Sequence, residues 1–134
     1  MAERPLPLAD LDSAPYWQAA KQHKFQLPRC AGCGTYAFPP RANCNRCLST
    51  NMVWTELSGK GSIYTYCVMH DTLIRGMEPP FVIAQVELDE QPGLRITSDI
   101  LECPIEQVKV GMPVEVTYED VTDEVTLPQF RPRG

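Results

Sequence analysis

The stretch "CAGCGTYAFPPRANCNRC", residues 30–47, holds four cysteines in two C-x-x-C pairs with ten residues between them. Zinc takes four soft or borderline ligands in a tetrahedron, and thiolates about 2.3 Å from the ion supply them. A C-x-x-C pair on a tight turn brings two sulfurs within reach of one ion. Gly32 and Gly34 give the first of these turns its backbone freedom. Cys30, Cys33, Cys44 and Cys47 are therefore the expected metal ligands. Disulfides would need an oxidising compartment, and nothing in the sequence directs the chain to one. A thioredoxin-like motif would be a single C-x-x-C entering a helix in a βαβ pattern, and that context is missing. Zinc is the expected metal; iron takes the same ligand set in rubredoxin, and spacing alone does not separate the two. Four thiolates leave no position for water or substrate, so the metal is expected to be structural.

The rest of the chain reads as one small domain with a satellite. At 134 residues it falls in the single-domain range. Thirteen prolines favour short strands and rigid loops over long helices. No run approaches the roughly 18 apolar residues of a membrane span. The start, "MAERPLPLADLD", lacks the basic and apolar stretches of a signal peptide, so a cytoplasmic location is expected. The net charge of −5 is unevenly spread. Residues 13–55 carry Lys21, Lys24, Arg29, Arg41 and Arg46 and no acid, whereas the remainder is strongly acidic. An acidic second half speaks against general nucleic-acid binding. The basic first half would draw an anionic ligand or partner.

Residues 13–25, "SAPYWQAAKQHKF", read as a short helix capped by Ser13, with Pro15 in the first turn. Tyr16, Trp17, Ala20 and Lys24 share one face of it. Beyond "SGKG" the texture becomes strand-like. Strands are expected at 62–70, 79–88, 93–101, 112–121 and 124–132, with one helical turn in 103–111. The run 79–88 is the most continuously apolar and is expected to be central. Five strands so interrupted predict a small Greek-key barrel of the OB type. The expected fold is mainly β: residues 1–27 with a short helix, a rubredoxin-like ribbon at 28–56, and a five-stranded OB barrel at 57–134.

No catalytic constellation is visible. His23 falls in the expected helix and His70 ends the first barrel strand. Cys67 and His70, three apart on a strand, would point to opposite faces. Cys67 and Cys103 are expected to be small buried hydrophobes. No glycine-rich phosphate loop, G-x-S-x-G or H-E-x-x-H occurs.

The phrases "YWQAAKQHKF", "LPRCAGCGTYAFPPRANCNRC", "SGKGSIYTYCVMH", "PPFVIAQVELDE", "VKVGMPVEV" and "LPQFRP" together carry a resemblance. From about residue 12 to residue 132 the chain resembles the OB-fold proteins with an N-terminal rubredoxin-like zinc ribbon that are associated with acyl-CoA enzymes. The resemblance implies an accessory subunit in a hetero-oligomer whose catalytic residues sit on the partner. A thiolase-type acyltransferase is the expected partner; an acyl-CoA hydratase or a thiolase-like aldolase is the alternative. It matches the four cysteines to the family's metal ligands, and it implies a coenzyme A thioester at or near the interface. Arg41 is then a candidate donor to the coenzyme A phosphates, with pairing to a neighbouring carboxylate as its other role. Tyr36 and Phe38 could stack on the adenine, though packing within the ribbon is the preferred role. A single-stranded nucleic-acid module is the last alternative, and the acidic barrel argues against it.

Overall fold

The computed structural model describes residues 5–71 and 76–133, so residues 1–4 of the first expected segment lie outside the described residues. In chain order it contains α1 (Ala14–Lys21), β1 (Gln26–Cys30), β2 (Met52–Glu56), β3 (Lys60–Met69), β4 (Phe81–Leu88), β5 (Arg95–Asp99), a 3-10 turn (Ile105–Gln107), β6 (Pro113–Asp120) and β7 (Thr126–Pro132). Strands β1 and β2 pair antiparallel as a two-stranded ribbon. The other five form one sheet in the order β5-β4-β3-β6-β7. A parallel bridge between Ile100 and Phe130 brings the two outer strands together, giving a nearly closed barrel of the OB kind. Among the described residues, no helix is long and apolar enough to cross a membrane.

Three backbone features shape the barrel. Strand β3 is ten residues long and pairs with β6 through Lys60–Ser62 and with β4 through Gly61–Met69. A register shift between Ile63 and Thr65 bends it so that it can serve both neighbours. A Cβ on Gly61 would lie 2.5 Å from the Glu87 carbonyl oxygen, so only glycine lets β3 and β4 approach here. Gly111, with φ +86, turns the chain into β6 after the 3-10 turn, which falls within the helical turn expected in 103–111. The middle strand is β3, not the 79–88 run. In a barrel every inner strand is paired on both sides, so apolar continuity does not rank them; β4 alternates, with Val82, Ala84, Val86 and Leu88 buried.

The core lies inside the barrel, where Phe130, Ile63, Val86 and Val114 are almost fully buried, and it extends under the helix. Each such side chain contributes roughly 1.5–3 kcal/mol by leaving water. Tyr16 is the aromatic hub joining the parts. Its ring meets Trp17 at 4.9 Å, Phe38 of the ribbon at 5.9 Å and Phe25 at 6.1 Å. Phe25 in turn meets Phe130 edge-on at 6.2 Å.

The helix is shorter than 13–25 and begins differently. Ser13 makes no side-chain cap. Instead Asp10 accepts the Ser13 N–H at 2.8 Å, and the Asp10 N–H donates to Ser13 Oγ at 3.1 Å, a reciprocal pair one turn earlier. The hydrogen bonds from Ser13 hold the Asp10 carboxyl below its ordinary value of 3.8. At the other end His23 follows the helix instead of lying in it. It adopts φ 58, while the N–H groups of His23 and Lys24 donate to the Ala20 and Ala19 carbonyls. That is a Schellman ending with histidine where glycine is usual. The His23 ring repays this by stacking on Tyr118 at 4.8 Å and meeting the Asp120 carboxylate at 3.1 Å. Lys24 is exposed and lies beyond the helix, so the apolar face is Tyr16, Ala19 and Ala20 with Trp17 half-buried.

Candidate metal centre

The first cysteine pair ends β1 and the turn after it; the second sits on the loop that returns to β2. Pairing of Cys30 with Met52 and of Gln26 with Glu56 fixes the ribbon's register. The two C-x-x-C turns are thereby brought face to face. The four sulfurs lie within 4.8 Å of one another, and the Cys30–Cys47 and Cys33–Cys44 pairs are 3.5 Å apart. A tetrahedron with arms of about 2.3 Å has edges of about 3.8 Å. The sulfurs therefore already stand at metal-site spacing.

The shell around them is built for thiolates. Backbone N–H groups of Cys33 and Arg46 donate to Cys30 Sγ at 3.4 Å and Cys44 Sγ at 3.3 Å. Cys30 and Cys44 are buried, and Cys33 and Cys47 are exposed. Thr35 Oγ1 lies 3.2 Å from Cys33 Sγ; its hydrogen bonds draw the Cys33 thiol down to about 6. The Cys33 N–H lowers Cys30 in the same way. Cys47 moves oppositely: against the pull of the Ser49 backbone, the sulfurs of Cys30 and Cys33 drive it up to about 12. Four sulfurs this close cannot all ionise unless a cation sits among them. The donor set, spacing and shell fit a closed tetrathiolate zinc site and leave no open coordination position.

The other expected site residues fall nearby but have different surroundings. Tyr36 is buried, and the Arg29 guanidinium covers its ring at 5.0 Å. Phe38 is half-buried against Tyr16. Arg41 is exposed, its Nε 3.5 Å from the Pro39 carbonyl, and it forms no ion pair among the described residues. Cys67 is exposed on β3, contrary to the expectation of burial, because the bulge before Thr65 changes which face of the strand it joins. Its sulfur is 4.0 Å from Met69 Sδ. Cys103 is half-buried against the core.

Two residues were missed by the sequence reading. Gln91, on the β4–β5 turn, accepts the Tyr36 N–H at 2.8 Å and donates to the Tyr36 carbonyl at 3.3 Å, so its amide clamps the ribbon to the barrel like one more strand residue. Arg29 also donates from Nε to the Gly34 carbonyl at 3.0 Å, bracing the first cysteine turn. A glutamine in a turn and an arginine in a strand carry no local signal for either role.

Comparison with known proteins follows the same two-part division. The rubredoxin-like zinc ribbon domain of ChsH2 matches residues 17–53, and the C-terminal OB-fold domain of ChsH2 matches residues 54–119. A DUF35 domain-containing scaffold protein of Methanocaldococcus jannaschii is 41% identical over 99 residues, covering 72% of this chain and 68% of the relative. The chain belongs to the DUF35 family. Among solved structures, a chain of the Ltp2-ChsH2(DUF35) aldolase superposes with TM-score 0.85 and 36% identity, covering 94% of this chain and 98% of that one. A probable enoyl-CoA hydratase alpha subunit of Thermomonospora curvata is 37% identical over 131 residues. This DUF35 chain spans 98% of itself in that match but only 40% of the hydratase subunit's length. The family's ribbon is a zinc ribbon, and the four cysteines here are placed to bind a metal ion in keeping with structural zinc.

Proposed function

We propose that this chain is an accessory subunit that docks on a catalytic subunit acting on a coenzyme A thioester. In this reading Cys30, Cys33, Cys44 and Cys47 hold a structural zinc ion, residues 28–56 form the metal-braced docking knuckle, and residues 57–134 form the barrel that flanks the thioester. The single observation that carries it is the likeness to a chain of the Ltp2-ChsH2(DUF35) aldolase across 98% of that chain's length. The closed sulfur shell supports a non-catalytic role, since a tetrathiolate site offers nothing to a substrate. Arg41, exposed and without an ion-pair partner among the described residues, is the candidate contact for coenzyme A phosphates. In this reading buried Tyr36 supports the ribbon and Phe38 packs against Tyr16 of the helix.

The partner we favour makes or breaks a carbon–carbon bond of the thioester, which covers both a thiolase-type acyltransferase and an aldolase. The similarity to a hydratase alpha subunit favours a second reading, a hydratase partner. A cytoplasmic location belongs to the same proposal. The test is to purify the chain with its candidate catalytic subunit and assay 3-oxoacyl, 3-hydroxyacyl and enoyl thioesters. A stable complex whose activity is lost without this chain supports the reading. Full activity of the catalytic subunit alone, with no complex formed, overturns it.

A further inference from the structure

The barrel is not closed along its whole length. Among the described residues the backbones of the two outer strands meet through the Ile100–Phe130 bridge, just past β5, and the bond from the Leu101 N–H to the Phe130 carbonyl at 2.8 Å; within β5 it is the Gln129 side chain that spans the gap. The hydrogen-bond alternation shows which groups face the gap. The Leu88 N–H donates to the Leu94 carbonyl and the Ile100 N–H to the Val82 carbonyl, so the even positions of β5 are turned toward β4. The odd positions face β7: the Asp99 N–H reaches Gln129 Oε1 at 3.2 Å, and Thr97, two residues earlier, presents its N–H and carbonyl in the same direction. On the opposite lip Phe130 directs its carbonyl across the seam, which puts Pro128 at a seam-facing position too. Proline has no N–H to offer, so the ladder stops there.

A cavity of about 370 Å³ occupies this gap, within the range of small-molecule sites. Trp17 and Phe38 wall it on the outside, and Ile83 and Leu127 line it. Its polar lining includes the buried Gln129 amide, whose Oε1 accepts the Ser98 hydroxyl at 3.1 Å and whose Nε2 meets the Asp99 carboxylate at 3.5 Å. Among the described residues no lysine, arginine or histidine lines it, and the charged group that does is the Asp99 carboxylate, which disfavours a phosphate.

We propose that the β5–β7 seam binds an uncharged apolar chain bearing a secondary amide, as in the acyl and amide arm of a thioester. The amide pairs with the Thr97 strand edge, and the apolar part lies between Trp17 and Ile83. This rests on the thioester reading above and locates the neutral end of such a ligand on this chain, away from the basic ribbon. The physical logic is that of strand addition: an open edge supplies a donor and an acceptor, and the adjoining apolar walls supply the selectivity.

The test uses the zinc-loaded full chain and octanoyl-N-acetylcysteamine, a neutral thioester with one secondary amide and no nucleotide. Titration followed by ¹⁵N NMR is expected to move the Thr97 and Asp99 amides, the Gln129 side-chain amide and the Trp17 indole together. Thr97→Trp, which fills the slot from an exposed position, is expected to weaken binding more than about tenfold. If that variant misfolds, Trp17→Ala must weaken binding without disturbing the strand edge. Shifts confined to the ribbon, binding unchanged in these variants, or binding of a capped apolar peptide in place of the thioester would each overturn the proposal. Because the readout is binding to the chain alone, a failure here is distinct from a failure to form the complex.

Discussion

The ribbon pairs two strands of five residues, whereas the barrel pairs five strands around Ile63, Val86, Val114 and Phe130. Between Cys30 and Cys47 the buried side chains are few, and two of them, Cys30 and Cys44, are themselves ligand candidates. The barrel stands by removing apolar surface from water; the ribbon depends on a cation that lets four sulfurs ionise side by side. The contrast teaches that one chain can use two independent sources of order. It also makes the joints between them, Tyr16 and Gln91, the places where the halves communicate.

Removing a ligand should break the comparison most severely. Cys44→Ser is expected to abolish metal binding, which in structural zinc sites amounts to about 10–16 kcal/mol. Elemental analysis should find metal lost, and NMR should find ribbon signals collapsed with barrel signals retained. Acidification should act in the same direction, since protonating thiolates releases the ion as pH falls. In the barrel, Phe130→Ala should cost about 3–5 kcal/mol, read by urea denaturation, with the metal content unchanged. A loss of metal in that variant would mean the two regions are one cooperative unit. Gly61→Ala, which drives a methyl against the Glu87 carbonyl, should cost about 1–3 kcal/mol. Gln91→Ala removes two hydrogen bonds across the joint, each worth about 0.5–1.5 kcal/mol. It is expected to raise hydrogen exchange at Tyr36 more than at any barrel residue.

The smallest effect is expected at the helix end. Asp120 is held below its ordinary value of 3.8, first by the Thr126 hydroxyl and then by His23. A depressed carboxyl stabilises the fold above its unfolded pKa, and that contribution fades as pH drops below 3.8 through the folded value. An NMR titration of His23→Ala should move the Asp120 midpoint only part of the way back up, because Thr126 remains. A full return would assign the whole effect to His23.

The barrel strands were legible because their β-branched and aromatic residues alternate between turn signals such as "DEQPG". Boundaries slipped by one to two residues, where hydrogen bonding and not composition ends a strand. Burial was harder to read. Cys67 sits in an apolar run yet is exposed, because a bulge two residues upstream changes the face it joins, and bulges leave no mark in composition. The helix cap was placed at Ser13 because a serine just before a proline in the first turn is a common local start signal. Only the fold shows Ser13 and Asp10 capping each other.

What the sequence determined by itself was the metal centre and the fold class. Ligand chemistry depends on residue type at short spacing, and strand patterning repeats every two residues. What the tertiary structure alone decided was everything set by distant residues meeting: the Gln91 clamp on Tyr36, the His23 ring on Tyr118, and the open seam at Pro128. Those contacts join positions tens of residues apart, and a local pattern carries no information about which loop will close on which strand.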